Sequence, residues 1–239
     1  MSNISAIENC YGCGGCLTSC PFEAFEFCID SRGLYYPRVN SKLCMNCSKC
    51  KNLCYKVENF SNPQKCFLLE EKNEKRLLSA SSGGAFFQLV KNFYVPNNTV
   101  IYGAAYNRNL EVEHSAALTL GEAKRFCKSK YVSSKTTSCF QEVYDYLKTG
   151  KRVLFSGTPC QIYGLKKYLK HDYDNLLTVD LICTGVMAPS ILSKFLESYE
   201  NENITYFDWR YKHVTENNNV WNIMDSTIFI DGKRQYDKK

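Results

Sequence analysis

Between residues 138 and 199 the apolar positions switch repeatedly between a helical rhythm and short unbroken runs. Phe140, Val143, Tyr144 and Leu147 fall at helical spacing, with Ser138 and Gln141 reading as a capping box and Gly150 as the stop. Residues 153–156 read as a buried strand. Gly157-Thr158-Pro159 then makes a tight turn, with Thr158 as N-cap and Pro159 at the first position of a helix running to about Lys170. Residues 176–183 read as a second buried strand, and Pro189 opens a helix with Ile191, Phe195, Leu196 and Tyr199 on its inner face. Strands alternating with helices at these lengths predict parallel pairing through right-handed crossovers. Cys160 and Cys183 would then both lie beyond the carboxyl ends of strands, at the edge where open α/β sheets bind ligands.

Upstream, residues 65–70 predict a short strand and 70–76 an exposed turn. Residues 79–84 open a helix whose apolar face carries Phe86, Val90 and Phe93. Residues 99–106 and 111–118 read as strands joined by a hairpin loop at Asn107-Arg108-Asn109, and 120–127 as a short helix. Downstream, 204–212 and 220–230 read as strands rich in aromatic and β-branched residues. Nothing after Ile230 reads as covering the last strand, so the domain reads as incomplete at its C-terminal end. The expected fold class is α/β (α+β), with a small module at residues 1–58 followed by a mixed α/β domain at 59–239. Asn59, Ser61, Asn62 and Pro63 break the chain between them.

Composition narrows the function classes. Of 239 residues, 44% are hydrophobic and 23% charged, as in an ordinary soluble globular protein. No apolar run reaches the length of a membrane span. The net charge of +6 comes from scattered lysines and does not call for nucleic acid. Lys42, Lys49, Lys51 and Lys56 do cluster around one stretch of chain, and would favour an acidic redox partner. The chain has 14 cysteines, and Ser2 to Asn9 does not resemble a signal peptide, so a reducing cytoplasm is expected.

Eight of those cysteines form two runs, Cys10-x2-Cys13-x2-Cys16-x3-Cys20-Pro21 and Cys44-x2-Cys47-x2-Cys50-x3-Cys54. This is the ligand spacing of a ferredoxin-type module with two [4Fe–4S] clusters, in which the fourth cysteine of each run serves the other cluster. One set is therefore Cys10, Cys13, Cys16 and Cys54; the other is Cys44, Cys47, Cys50 and Cys20. A zinc site closes its tetrahedron with two C-x2-C pairs and leaves a third cysteine without a role. Ligation, rather than burial, would supply most of the folding free energy of so small a module. Phe22, Phe25, Phe27 and Ile29 are expected to pack over the clusters, with Cys28 a structural thiol beside them. Cys66, Cys127 and Cys139 read as packing residues, and His114, His171 and His213 have no ligand spacing.

Three further segments have chemical character. Ser81-Ser82-Gly83-Gly84 at a helix start suits a phosphate, although a plain capped helix reads the same and is commoner. Residues 128–135 combine cations with hydroxyls, as a cofactor-lining segment or a solvated loop would. Cys160, in the first turn of its helix, would have its thiol pKa lowered by the helix dipole, unless it is simply a buried structural cysteine.

The two cysteine runs, Ser81-Ser82-Gly83-Gly84-Ala85-Phe86, Ser129-Lys130-Tyr131-Val132, Ser156-Gly157-Thr158-Pro159-Cys160-Gln161 and Asp180-Leu181-Ile182-Cys183 follow one another in this order. Together they resemble the coenzyme F-420 hydrogenase/dehydrogenase beta-subunit family. The resemblance implies an FAD-dependent iron–sulfur oxidoreductase. It would pass electrons between a small-molecule hydride donor or acceptor and a partner subunit or ferredoxin-like protein. Carried over, Ser81, Ser82, Gly83 and Gly84 would contact the FAD phosphates. Ser129, Lys130 and Tyr131 would line the cofactor. Thr158, Pro159 and Gln161 would lie near the reactive site, with Cys160 beside the flavin as the catalytic candidate. Thr184 stands where the family usually carries a histidine, and the family's further C-terminal cysteines are not found here. Two other readings stay open: an electron-transfer subunit without flavin, and thiol chemistry at Cys160 with Cys183.

Overall fold

The computed structural model describes residues 10–54, 65–199, 202–212 and 226–235. The breakers at 59–63, Lys56, His213 and the first part of the expected strand at 220–230 lie outside them. The centre is a four-stranded sheet in the order β4-β3-β5-β6, built from β3 (Thr99–Tyr106), β4 (Val112–Ala117), β5 (Arg152–Gly157) and β6 (Leu176–Asp180). β3, β5 and β6 run parallel, and β4 returns antiparallel through the expected hairpin.

Each central strand is apolar on both sides because helices cover both faces. Val100, Tyr102, Val153 and Phe155 face α5 (Cys139–Lys148) and α6 (Pro159–Leu169), packing on Phe140, Val143, Ile162 and Leu165. Ile101, Ala105 and Leu154 point the other way, toward α3 (Ala85–Phe93) and the 3-10 turn at Lys124–Phe126. Gly103 is required on that side, since a Cβ there would lie 2.7 Å from the Phe126 ring.

The N-terminal lobe holds α1 (Gly15–Thr18) and the hairpin β1 (Phe25–Ile29)–β2 (Tyr35–Val39). Its turn is held by the Asp30 carboxylate, which accepts from the backbone N–H groups of Arg32 at 2.9 Å and Leu34 at 3.0 Å. A third sheet, β7 (Ile204–Asp208), β8 (Thr227–Ile230) and β9 (Lys233–Gln235), is antiparallel throughout.

Several expectations are corrected. Residues 65–70 form no strand, for no neighbouring strand offers them a ladder. α2 (Glu74–Leu78) replaces the exposed turn, capped by Asn73. Ser138 does not cap α5: its φ is 65°, and its hydroxyl donates to the Glu142 carboxylate at 2.9 Å. β6 stops at Asp180 because its partner β5 ends at Gly157, which leaves Cys183 on an exposed loop. α7 (Pro189–Glu197) buries Leu192 against Val112 and Val132, while Ile191 stays 53% exposed. The turn at Asp231–Gly232 returns the chain as β9, so β8 does have a following partner. Ile29 is exposed, not packed inward, and Cys66 is exposed as well.

Phe155 is fully buried and touches the rings of Tyr102, His114 and Phe140. Phe155→Ala should lower the unfolding free energy by about 3–5 kcal/mol. Denaturant titration checks this; a loss below about 1 kcal/mol would mean the ring is not the packing centre described.

Candidate functional site

The two cysteine runs wrap two hollows. Cys10, Cys13, Cys16 and Cys54 line one, together with Gly12, Gly14, Pro37 and Leu53. Cys20, Cys44, Cys47 and Cys50 line the other, with Pro21, Phe22, Phe25 and Met45. These are the two quartets into which the spacing divides the eight residues. Tight left-handed backbone lets the runs curl: Gly12 has φ 63°, Gly14 φ 80°, and Asn46 and Ser48 do the same in the second run. A side chain at Gly14 would collide with Thr136 Oγ1, 2.0 Å from the Cβ position. The Gly12 N–H donates to Cys10 Sγ at 3.4 Å.

All fourteen cysteines are free thiols. Among the described residues no group of three or more His, Cys, Asp or Glu could hold a single metal ion. A lone zinc draws its sulfurs to about 2.3 Å of one point, whereas a cubane spreads four thiolates over its corners. Burial pushes the Cys13 thiol up to about 12 and raises Cys10 and Cys16 too. A bare thiolate is therefore costly in the inner hollow, and a cationic centre is what would compensate it.

The inner hollow rests on α6. The Thr136 hydroxyl donates to the Cys13 carbonyl at 2.8 Å. Gly164 leaves α6 bare at the contact, its Cβ position being 3.4 Å from Cys13 Sγ, and that of Gly15 lies 3.6 Å from Gly164 Cα. Cys13 is close enough to the thiol of Cys160, one turn earlier in α6, for their charges to interact.

At the head of α6 the sheet edge is organised by a buried chain of hydrogen bonds. The Thr158 N–H donates to Gln161 Oε1 at 3.0 Å. Gln161 Nε2 donates to Ser134 Oγ at 2.9 Å, which lies 3.0 Å from His114 Nδ1. His114 Nε2 is 3.0 Å from the Ser156 carbonyl. A carbonyl only accepts, so Nε2 carries the proton and Nδ1 accepts from Ser134. The ring is neutral, and burial pulls its pKa down to about 4. Sequence reasoning missed both His114 and Ser134. His114 has no ligand-like spacing, and its role depends on strands brought together from distant positions.

Cys160 corrects an expectation. The helix start does not win, since burial raises its thiol pKa above the ordinary value, against a smaller lowering by Thr158 Oγ1 at 3.2 Å.

The Ser-Gly loop and the 128–135 segment meet: the Ser129 N–H donates to Ser81 Oγ at 2.7 Å. Gly84, at φ 81°, caps α3, and a Cβ on Gly83 would sit 2.8 Å from the Leu69 carbonyl. Glu71 anchors the loop from below, its N–H donating to the Gly83 carbonyl at 2.7 Å and its carboxylate receiving Arg76 and Gln88. Lys212, from beyond β7, donates to the carbonyls of Leu77 at 3.0 Å and Ser82 at 2.5 Å. Lys128 pairs with the buried Asp208 at 2.7 Å, and Arg210 donates to the Tyr131 hydroxyl at 3.2 Å. Lys130 turns its ammonium to the Arg125 carbonyl at 2.7 Å, and burial pulls its pKa down to about 8. Asp208, Arg210 and Lys212 were not foreseen, since their strand reads only as framework. The cationic pair flanking Tyr211 was the available signal.

Residues 150–233 match the model of a family described as the C-terminal part of the coenzyme F420 hydrogenase/dehydrogenase beta subunit. That segment is what the chain has in common with the family; the residues before it lie outside the match. The matched residues contain β5, the Thr158–Gln161 turn, Cys183 and the Asp208–Lys212 cluster, while the cysteine runs and Ser-Gly loop precede them. No curated protein sequence matches the chain. Among solved structures, it is similar to a chain of the F420-reducing [NiFe] hydrogenase complex from Methanosarcina barkeri, studied as a xenon derivative, with 19% identity and a TM-score of 0.41. The likeness covers 64% of this chain and 57% of that one, little more than half of its length.

The His114 chain sets a pH dependence. Folded His114 stays neutral to about pH 4, whereas the unfolded residue takes up its proton near 6.5. Its contribution is intact above pH 6.5 and is lost as pH falls from there to about 4. The loss is about 1.4 kcal/mol per pH unit, roughly 3 kcal/mol in all. Unfolding of wild type and His114→Gln across pH 7 to 4 measures the difference. Parallel pH slopes for the two proteins would refute it.

Proposed function

We propose that this chain is an iron–sulfur flavoprotein oxidoreductase of the hydrogenase beta-subunit type. The observation that carries the reading is the pair of hollows, each walled by four thiols drawn from both cysteine runs. When bound, two [4Fe–4S] clusters pass single electrons and FAD exchanges hydride with a small-molecule donor or acceptor. The donor sets fit two clusters: four thiols each, apolar walls, and at Cys10 a backbone N–H aimed at sulfur.

The second group also has a fitting surface. Ser81, Ser82, Gly83 and Gly84 form a bare helix start beside Ser129, with Lys128, Arg210 and Lys212 adding positive charge. These residues would hold the phosphates of FAD. Thr158, Pro159, Cys160 and Gln161 would lie by its reactive ring, next to the quartet containing Cys13. Gln161 and the neutral His114 would fix the turn without placing a charge beneath the cofactor. The free thiols fit a reducing compartment such as the cytoplasm. No helix among the described residues is long and apolar enough to cross a membrane.

A second reading is an electron-transfer subunit without flavin. It is favoured by the lysines of the Ser-Gly region, for Lys212, Lys128 and Lys130 each already have partners within the chain.

Anaerobically purified protein should contain about eight irons per chain and a broad visible band that dithionite bleaches. Acid extraction should release about one flavin per chain, and Lys212→Ala should lower flavin content severalfold with iron unchanged. Iron without flavin would select the second reading; absence of both would end the proposal.

A further inference from the structure

The two hollows differ in what surrounds them. The quartet of Cys10, Cys13, Cys16 and Cys54 faces inward, with Cys16 buried and Cys13 against Gly164 of α6. The quartet of Cys20, Cys44, Cys47 and Cys50 faces out. Cys47 is exposed, and the rim is apolar and open, with Met45 68% exposed, Leu43 47% and Phe22 44%. Around this apolar rim stand Lys42, Lys49 and Lys51, all exposed and none in an ion pair among the described residues. Residues 40–54 contain no acidic side chain at all.

An apolar centre that can be desolvated, ringed by uncompensated cations, suits a transient partner of opposite charge. A short approach to the thiol quartet at the centre suits electron exchange. We propose that the face formed by Phe22, Leu43, Met45 and the lysines Lys42, Lys49 and Lys51 is the docking surface for an acidic electron-carrier protein. The exchange is a one-electron transfer: the reduced carrier loses the electron, the centre held by the outer quartet gains it, and no bond or proton moves. This rests on the cluster reading above. It adds which quartet is the port, which is the inner relay toward α6, and what chemistry the partner presents.

The test uses the anaerobic holoprotein and a reduced, acidic [2Fe–2S] ferredoxin as probe, with reduction followed by stopped-flow absorbance. Lys42→Glu/Lys51→Glu should slow the second-order rate at least tenfold at low salt, and the gap should close near 0.5 M salt. Oxidised cytochrome c, a basic acceptor, should take electrons from the dithionite-reduced variant faster than from reduced wild type at low salt. Iron content and the dithionite-bleached spectrum should match wild type. Lys91→Glu/Lys170→Glu, the same charge change elsewhere on the surface, should have little effect.

Full iron with an unaltered ferredoxin rate, or an equal loss in the control pair, would overturn the docking surface alone. A protein without iron would overturn the cluster reading and this inference together. Dimers that the Lys42→Glu/Lys51→Glu variant dissolves would give the face to a second copy of the chain and also overturn it.

Discussion

The close approach between the first cysteine run and α6 governs how the rest of the molecule can work. Cys13 lies over Gly164, Gly15 faces the same point, and Thr136 ties down the Cys13 carbonyl. A Cβ on Gly164 would press on the Phe140 ring at 3.3 Å and on Cys13 Sγ at 3.4 Å, so the two parts of the chain fit closely there. The same contact puts the inner thiol quartet beside the head of α6, where Thr158, Cys160 and Gln161 stand. A lobe whose own core is small thus gains support from the body, and the body gains a short path to the surface.

The head of α6 is in turn held by polar groups. Gln161, Ser134, His114 and the Ser156 carbonyl satisfy one another in sequence, and Phe155 stacks on the imidazole at 5.3 Å. A chain of this kind is rigid only while every member is paired, and a proton on His114 would leave it with a donor where an acceptor is needed. Neutrality of the histidine and order at the sheet edge are the same condition. The lysine-rich Ser-Gly region works differently. Its cations repel one another, and among the described residues Asp208 pairs with Lys128 directly while the Glu70 charge acts on Lys212.

Much of the core was legible because strands covered on both faces read as unbroken apolar runs. β3, β5 and α6, with its Thr158–Pro159 start, lie where the pattern puts them. Failures came where a local signal had two outcomes. Ile191 looks like part of an inner face, but Leu192 is the residue buried against Val112 and Val132, with the expected Leu196 packed beside it. Residues 65–70 are apolar enough for a strand, yet a strand needs a neighbour, and among the described residues none pairs with them. The head of α6 was expected to acidify Cys160, and desolvation proved the larger effect.

Cysteine spacing by itself predicted a division of eight thiols into two quartets, each taking three thiols from one run and the fourth from the other, and the same groupings line the two hollows. Residue order likewise determined the strand–helix succession, since burial on two faces demands apolar continuity. What only the tertiary structure decided was adjacency across the chain: Ser81 with Ser129, Lys212 with Ser82, Cys13 with Gly164, His114 with Ser134. Those pairs are separated by many residues and share no local pattern. They meet because the sheet's pairing and its two helical layers bring distant parts of the chain side by side.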